Sequence, residues 1–208
     1  MIIAVDGPLA SGKGTIARAL SQKFSLPYLD TGSLYRAAAL AVLDAGHDPN
    51  DETAAVEAAR TLDVTSIDEA RIRTAAVGQA ASQVAKQQAV RDALFEVQRA
   101  FATQPGGAIL DGRDIGTVIC PDAEVKLFVT ADPETRARRR QSELNAKGDP
   151  ITFEEMLAQT LSRDARDAER TDAPMRKADD ATLLDTSSLS IDAAIAEAVR
   201  IVEKRQKA

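Results

Sequence analysis

A glycine-bracketed loop, Gly7-Pro8-Leu9-Ala10-Ser11-Gly12-Lys13-Gly14-Thr15, stands between the apolar run Ile2-Ile3-Ala4-Val5 and a helical pattern carried by Ile16, Leu20 and Phe24. That order predicts strand, loop, helix. Such a loop turns backbone N–H groups inward around an anion, and the helix behind it adds unsatisfied N–H groups and the positive end of its dipole. Gly7 and Gly12 permit the tight approach of backbone to ligand, and Lys13 is a flexible point charge able to reach the terminal phosphates of a nucleoside triphosphate. Every residue from Gly7 to Thr15 is thus a candidate for holding nucleotide. The phosphate-loop pattern is met with one departure. It places Ser or Thr directly after the lysine to ligate magnesium; here Gly14 stands there and the hydroxyl comes one residue later, on Thr15. The metal is therefore expected to be held mainly by phosphates and water, with no dedicated protein site.

Four further apolar runs read as strands: Pro27-Tyr28-Leu29, Ala108-Ile109-Leu110, Val125 to Val129 and Thr182-Leu183-Leu184. Long helical patterns separate most of them. Continuous apolar strands alternating with helices predict an α/β fold with a five-stranded parallel sheet covered on both faces, its ligands beyond the carboxyl ends of the strands. The polar residues gather at those ends: Asp6-Gly7, Asp30-Thr31-Gly32, Asp111 to Asp114 and Asp185-Thr186-Ser187. Helices are expected over 34 to 45, from the Asn50-Asp51 cap to Arg60, over 74 to 103 with a break near Gln88, and over 132 to 148. A capping box, Thr152-Phe153-Glu154-Glu155, opens another that runs to Arg170. The 74 to 103 stretch carries Val77, Ala81, Val84, then Val90, Leu94, Val97 and Phe101 on its apolar face. Ser190 caps the last helix, with Ile191, Ile195, Val199 and Val202 as its buried stripe.

A chain of 208 residues fits one domain with a full core. Its net charge of −6 argues against a nucleic-acid or membrane footprint, and a single cysteine, Cys120, excludes an intrachain disulfide and a thiolate zinc site, leaving a buried inert thiol. The longest apolar run, Ala37 to Leu43, cannot span a bilayer, and no cationic leader precedes the first strand, so a soluble, cytoplasmic protein is expected. Aromatics make up only 3% of residues, which leaves little material for stacking a base and assigns base recognition to hydrogen bonds.

Arg163, Arg166, Asp167 and Arg170 fall at i, i+3, i+4 and i+7 on one helix face. Alone, such a face reads as solvated ion pairs worth a few tenths of a kcal/mol each. In a chain with a phosphate loop, three guanidiniums around one carboxylate read as an anion clamp, because phosphoryl transfer needs dense positive charge and excluded water. Arg136 and Arg140, four apart, could cover a triphosphate or its base, or face solvent. The segment Asp111-Gly112-Arg113-Asp114-Ile115-Gly116 is too polar for a plain turn: Arg113 can neutralise a phosphate and Asp114 can accept from an exocyclic amine, or the two can pair to stabilise the loop. Asp30-Thr31-Gly32-Ser33-Leu34-Tyr35-Arg36 offers a second phosphate site at a helix N-terminus. Two phosphate sites imply two nucleotides. His47, in a turn, reads as a surface residue.

These segments, with Ala80 to Ala85 and Val90-Arg91, together resemble the bacterial cytidylate kinases, within the nucleoside monophosphate kinases, over nearly the whole chain. The resemblance implies a P-loop fold with a monophosphate-binding region over about 31–104 and an arginine-bearing lid over about 141–174. It implies ATP with magnesium as donor, held by Gly7 to Thr15, and CMP or dCMP as acceptor. Ser82, Arg91 and Asp114 would read cytosine, Arg36, Arg113 and Arg170 would hold the acceptor phosphate, and Arg163 with Asp167 would contact its sugar. Thr31 and Tyr35 would line the same pocket, and Lys13, Arg113, Arg163, Arg166 and Arg170 would serve catalysis. Relatives often carry a small β-sheet insert in the monophosphate region. Only Thr65 to Arg71 separate Leu62-Asp63-Val64 from Ile72-Arg73-Thr74 here, so the insert is cut down; the base-reading residues lie after it, and specificity is expected to survive.

The expected activity is transfer of the γ-phosphoryl group of ATP to CMP or dCMP by a monomeric enzyme. Rival readings are a kinase for UMP or a small metabolite, and a nucleotide-gated switch without transfer. No Asn-Lys-x-Asp guanine-reading segment supports the switch.

Overall fold

The computed structural model describes residues 1–64, 66–170 and 173–206. It divides into two compact units: Met1–Leu29 with Phe101–Ala208, and Asp30–Ala100.

The first unit is built on a five-stranded sheet of β1 (Ile2–Asp6), β2 (Tyr28–Asp30), β3 (Ala108–Gly112), β4 (Val125–Thr130) and β5 (Thr182–Asp185) in the order β2-β3-β1-β4-β5. β1 pairs in parallel with both β3 and β4, and β4 with β5. All five predicted strands are present, each reaching one or two residues further toward its carboxyl end. Parallel strands covered on both faces must be apolar throughout, and Ile3, Val5, Ile109, Leu127 and Val129 are buried accordingly. Helix α1 (Lys13–Phe24) packs Ile16, Ala17 and Leu20 into this core, with Phe24 at its edge.

The last helix, here α9 (Ile191–Gln206), corrects its expected stripe. Ile191 is 67% exposed, and the buried face is Ala194, Ala198, Ile201 and Val202, with Ile195 and Val199 partly covered. Small alanines allow the helix close to the sheet, which turns the larger Ile191 outward. Cys120 is buried with its thiol intact.

Helices α7 (Pro133–Ala146) and α8 (Phe153–Ala168) pack on each other in the same unit. Asp132 caps the former through Thr135 N–H, and the Thr152–Glu155 capping box forms in both directions on the latter. Of the proposed lid, Thr171 and Asp172 lie outside the described residues.

In the second unit, α2 (Thr31–Asp44) starts three residues earlier than expected, because Asp30 takes the N-cap backbone conformation and Ser33 Oγ donates back to Asp30 O at 2.6 Å. Helix α3 (Glu52–Arg60) is capped by Asp51. Between Val64 and Arg73 stands a one-turn helix, α4 (Glu69–Ile72), that the sequence did not suggest; Asp68 caps it and Ile72 plugs a small core with Ala37 and Val77. Thr65 lies outside the described residues. The break near Gln88 is real and separates α5 (Ala75–Val84) from α6 (Gln88–Ala102). On α6 the buried face runs Val90, Leu94, Gln98, Ala102; Val97 is exposed, contrary to expectation. Gln98 takes the interior place because its amide donates to Leu94 O at 3.0 Å, satisfying one end of the buried polar group.

Candidate active site

The phosphate loop leaves β1 at Asp6 and enters α1 at Lys13. Gly7 has φ +150°, and a Cβ there would stand 1.9 Å from Val129 O, so only glycine fits the exit from the strand. Gly12 (φ +90°) and Ala10 (φ +58°) are also left-handed. Lys13 Nζ folds back to Pro8 O at 3.5 Å. The buried Ser11 Oγ has no hydrogen-bond partner. Gly14 faces Asp111: a Cβ at position 14 would stand 3.7 Å from both Asp111 Oδ2 and Tyr28 Oη, and that tyrosine donates to Asp111 Oδ1 at 2.7 Å. The place of the missing loop hydroxyl therefore lies beside a buried carboxylate and a phenol from neighbouring strands.

A cavity of about 260 Å³ opens beside the loop, lined by Ser11, Gly12, Thr15, Arg139, Thr186 and Ile191 among others. Its arginine is Arg139, not Arg136 or Arg140. Arg136 is buried and forms a bidentate pair with Asp164 of α8, while donating to Ala131 O and, at 3.4 Å, to Leu9 O of the loop. Arg140 pairs with Glu143 at 2.7 Å. Burial alone would raise the Glu143 carboxyl, but hydrogen bonds from Lys147 and Arg140 outweigh it and hold the group at about 2.

At the end of β3, next to the loop, Arg113 and Asp114 precede a single π-helical turn, Ile115–Ile119, that the sequence did not suggest. The turn is fixed by Asp6, whose two carboxylate oxygens accept Ile115 N–H and Gly116 N–H at 2.8 Å each. In the sequence Asp6 shows only as a carboxylate directly after an apolar strand, with no sign of its partners. Burial pushes its carboxyl up to about 7, against the two N–H groups and Arg113, which pull it down.

Asp167, 1% exposed, collects three guanidiniums: Arg113 Nε at 2.8 Å, Arg170 Nη2 at 2.9 Å and Arg163 Nε at 4.0 Å. Burial would raise its carboxyl, yet Arg113, Arg163 and Arg170 together hold it below the usual carboxylate range. Here the expected cluster is corrected in one member: Arg166 turns to Ser162 Oγ at 3.2 Å, and Arg113, 54 residues away in sequence, takes its place. Helical spacing finds neighbours on one helix; it cannot find a partner from a strand end.

In the second unit, Arg36 of α2 donates to Ile72 O at 3.1 Å, and a Cβ on Gly78 would stand 3.1 Å from its Nη1. Gly78 lies one helical turn before Ser82, so the guanidinium and the Ser82 hydroxyl share a face of α5. Ser82 is 3% exposed and its Oγ has no hydrogen-bond partner. Arg91, also buried, braces the end of α5 through Ala85 O at 3.1 Å and Lys86 O at 2.7 Å, and bonds Gln88 Oε1. Thr31 is buried at the first turn of α2, and Tyr35 stands one turn on, half-buried. His47 is exposed. Among the described residues no helix is long and apolar enough to cross a membrane, and no three His, Cys, Asp or Glu side chains are grouped as a metal cage.

A parallel sheet whose central strand runs into a phosphate loop, with arginines massed at the end of the adjacent strand, defines a P-loop phosphotransferase of the kinase type. Solved kinases share the fold: a shikimate kinase from Bacteroides thetaiotaomicron aligns over 100% of this chain and 99% of its own, at TM-score 0.51 and 12% identity, and a sugar kinase from Janibacter sp. over 97% and 94%, also at 0.51. The chain itself belongs to the cytidylate kinase family, whose model matches residues 3–204. A cytidylate kinase of Methylobacterium sp. is 62% identical over 87% of this chain and 86% of its own, and that of Xanthobacter autotrophicus is 57% identical over 99% of both. The cytidylate kinase of Brucella suis biovar 1 is 54% identical over 97% of this chain and 92% of its own. The chain is thus a nucleoside monophosphate kinase.

Proposed function

We propose that the phosphorylation of CMP and dCMP, the activity that membership of this family carries, is divided among the residues as follows. The loop amides from Gly7 to Thr15 and Lys13 cradle the triphosphate of ATP, and its base enters the cavity bounded by Arg139, Thr186 and Ile191. Magnesium fits the oxygen donor beside Gly14: the Asp111 carboxylate would hold it, directly or through water, and it would neutralise charge on the bridging phosphates. The unit Asp30–Ala100 serves as the acceptor region, where Ser82 and Arg91 take the acceptor edge of cytosine, Thr31 and Tyr35 line the pocket and Arg36 binds phosphate. Arg113 and Arg170 complete the phosphate contacts, Arg163 and Asp167 take the sugar, and the segment 141–174 acts as the lid of a monomeric enzyme.

The observation that carries this reading is the Asp167 cluster. One buried carboxylate among three guanidiniums leaves a net positive site, which an anion would complete. Asp167 keeps the arginines gathered and oriented, so little reorganisation remains when phosphate arrives. No side-chain base is required, since the acceptor is already an anionic phosphate; positioning and electrostatics supply the rate.

Base choice tests the reading. Cytosine offers an amine at position 4, whereas uracil offers a carbonyl that would face the Asp114 carboxylate, acceptor against acceptor; sites built around one polar group discriminate by roughly 10⁴ when it is missing. The protein is expected to make CDP from ATP and CMP and to use UMP poorly. Asp114→Ala should lose most activity on CMP and narrow the CMP to UMP ratio of kcat/KM. An unchanged ratio would move base reading to another acceptor, Asp111 first.

A further inference from the structure

The cavity beside the phosphate loop and the loop itself share one buried side chain. Thr186 follows β5, and its hydroxyl oxygen accepts from Arg139 Nη1 at 3.0 Å. The hydroxyl hydrogen stands between two carbonyls, Ser11 O of the loop at 2.9 Å and Thr130 O of β4 at 3.1 Å. The backbone of Thr186 is fixed as well, its N–H donating to Thr130 O at 2.8 Å and its carbonyl accepting from Arg139 Nη2 at 2.7 Å. The residue is 2% exposed.

The loop needs such a hold. Ala10, next to Ser11, has φ +58°, a left-handed conformation that a residue with a Cβ keeps only where the surroundings enforce it. The side-chain bonds to the two loop carbonyls before Ala10 are long: Arg136 Nη1 to Leu9 O at 3.4 Å and Lys13 Nζ to Pro8 O at 3.5 Å. Both donors are cations that a bound polyphosphate would attract. The Thr186 hydroxyl is short-bonded and uncharged, and it lies where a triphosphate gives it no reason to leave.

We propose that Thr186 is a positioning residue for phosphoryl transfer: its hydroxyl holds the Ser11 peptide in the anion-binding shape before nucleotide arrives, and Arg139 ties that shape to the neighbouring cavity. The inference rests on the donor reading given above. It concerns the loop, so its signature is the binding of a ligand that fills the loop and not the cavity.

Calorimetric titration of the whole protein with Mg·ATP and with magnesium tripolyphosphate supplies that comparison. Thr186→Val, which keeps the shape and loses the hydroxyl, should weaken both ligands at least fivefold, and Thr186→Ser should restore both to within twofold of wild type. Arg139→Gln should weaken tripolyphosphate in the wild-type background and not in the Thr186→Val background, since the tie runs through the hydroxyl. Wild-type affinities in folded Thr186→Val, or an Arg139→Gln effect of equal size in both backgrounds, would overturn the proposal. So would the failure of both Thr186→Val and Thr186→Ala to fold, which would make the threonine a stabiliser of the β4–β5 junction. A wild-type protein that binds neither ligand would instead remove the donor reading.

Discussion

The phosphate loop and the Asp167 cluster both serve phosphate in the proposed mechanism and are made of different material. The loop is backbone: Gly7 squeezed against Val129 O, Ala10 and Gly12 in left-handed conformations, and one flexible lysine. The cluster is side chains: guanidiniums from positions 113, 163 and 170 drawn onto one carboxylate at 167. Backbone N–H groups supply partial charges fixed in direction and survive any side-chain substitution except one to proline, whereas a guanidinium supplies a full charge that one substitution deletes. The loop should therefore fail all at once, through Lys13, and the cluster by degrees.

The largest effect is expected from Lys13→Ala. The lysine is the loop's only full charge, and it acts on oxygens whose charge grows as the phosphoryl group moves, so its loss should lower kcat by about 10³-fold or more, some 4 kcal/mol. Steady-state kinetics with ATP and CMP check this, with circular dichroism confirming the fold; turnover within tenfold of wild type would break the contrast between the two sites. Next comes the cluster. Arg170→Ala should lower kcat/KM for CMP by about 10²-fold, and Arg166→Ala, which leaves Asp167 with its three partners, by less than about fivefold. Equal losses would return Arg166 to the clamp that helical spacing alone proposed.

That contrast also explains what the sequence could and could not disclose. The loop is contiguous, so its glycines, lysine and flanking strand and helix stand together between residues 2 and 24. The three central strands were legible because burial on both faces demands unbroken apolar runs; the edge strands β2 and β5 show as shorter apolar runs and stay partly exposed. The cluster was legible only in its helical half: Arg163, Asp167 and Arg170 show by their spacing, but Arg113 joins them through the tertiary fold. Arg166 has the same spacing but a different partner, Ser162 Oγ, because spacing alone does not tell which side chains reach a given carboxylate. Asp6 and Thr186 were invisible as functional residues for the same reason, since each acts through a partner more than 100 residues away. Spacing singles out Arg136 and Arg140, which pair with Asp164 and Glu143, and gives no sign of Arg139, whose link to Thr186 is made by the tertiary fold.

The smallest expected effect separates two buried carboxylates by pH: Asp6, which fixes the turn after Arg113 and Asp114, and Asp167, which gathers the guanidiniums. Burial prevails at Asp6, pushed up to about 7, and the guanidiniums prevail at Asp167, held below the usual range. Linkage gives these opposite signs. Between the ordinary value of 3.8 and about 7 the folded protein binds the Asp6 proton more tightly than the unfolded chain does. The stability Asp6 adds as an acid is thus complete below about pH 4 and is lost as pH rises through 7. Asp167 behaves in reverse: its contribution is present above its unfolded pKa and is lost as pH falls below about 4 through its depressed folded value. Thermal melts of wild type, Asp6→Asn and Asp167→Asn from pH 3 to 8 separate the two. The wild-type advantage over Asp6→Asn should shrink from pH 4 to pH 8, and that over Asp167→Asn should shrink only on acidification below about pH 4. Parallel curves for the two variants would mean that Asp6 stays ionised across the range, and that the π-turn following Arg113 and Asp114 is held by a charge, as the arginine cluster is.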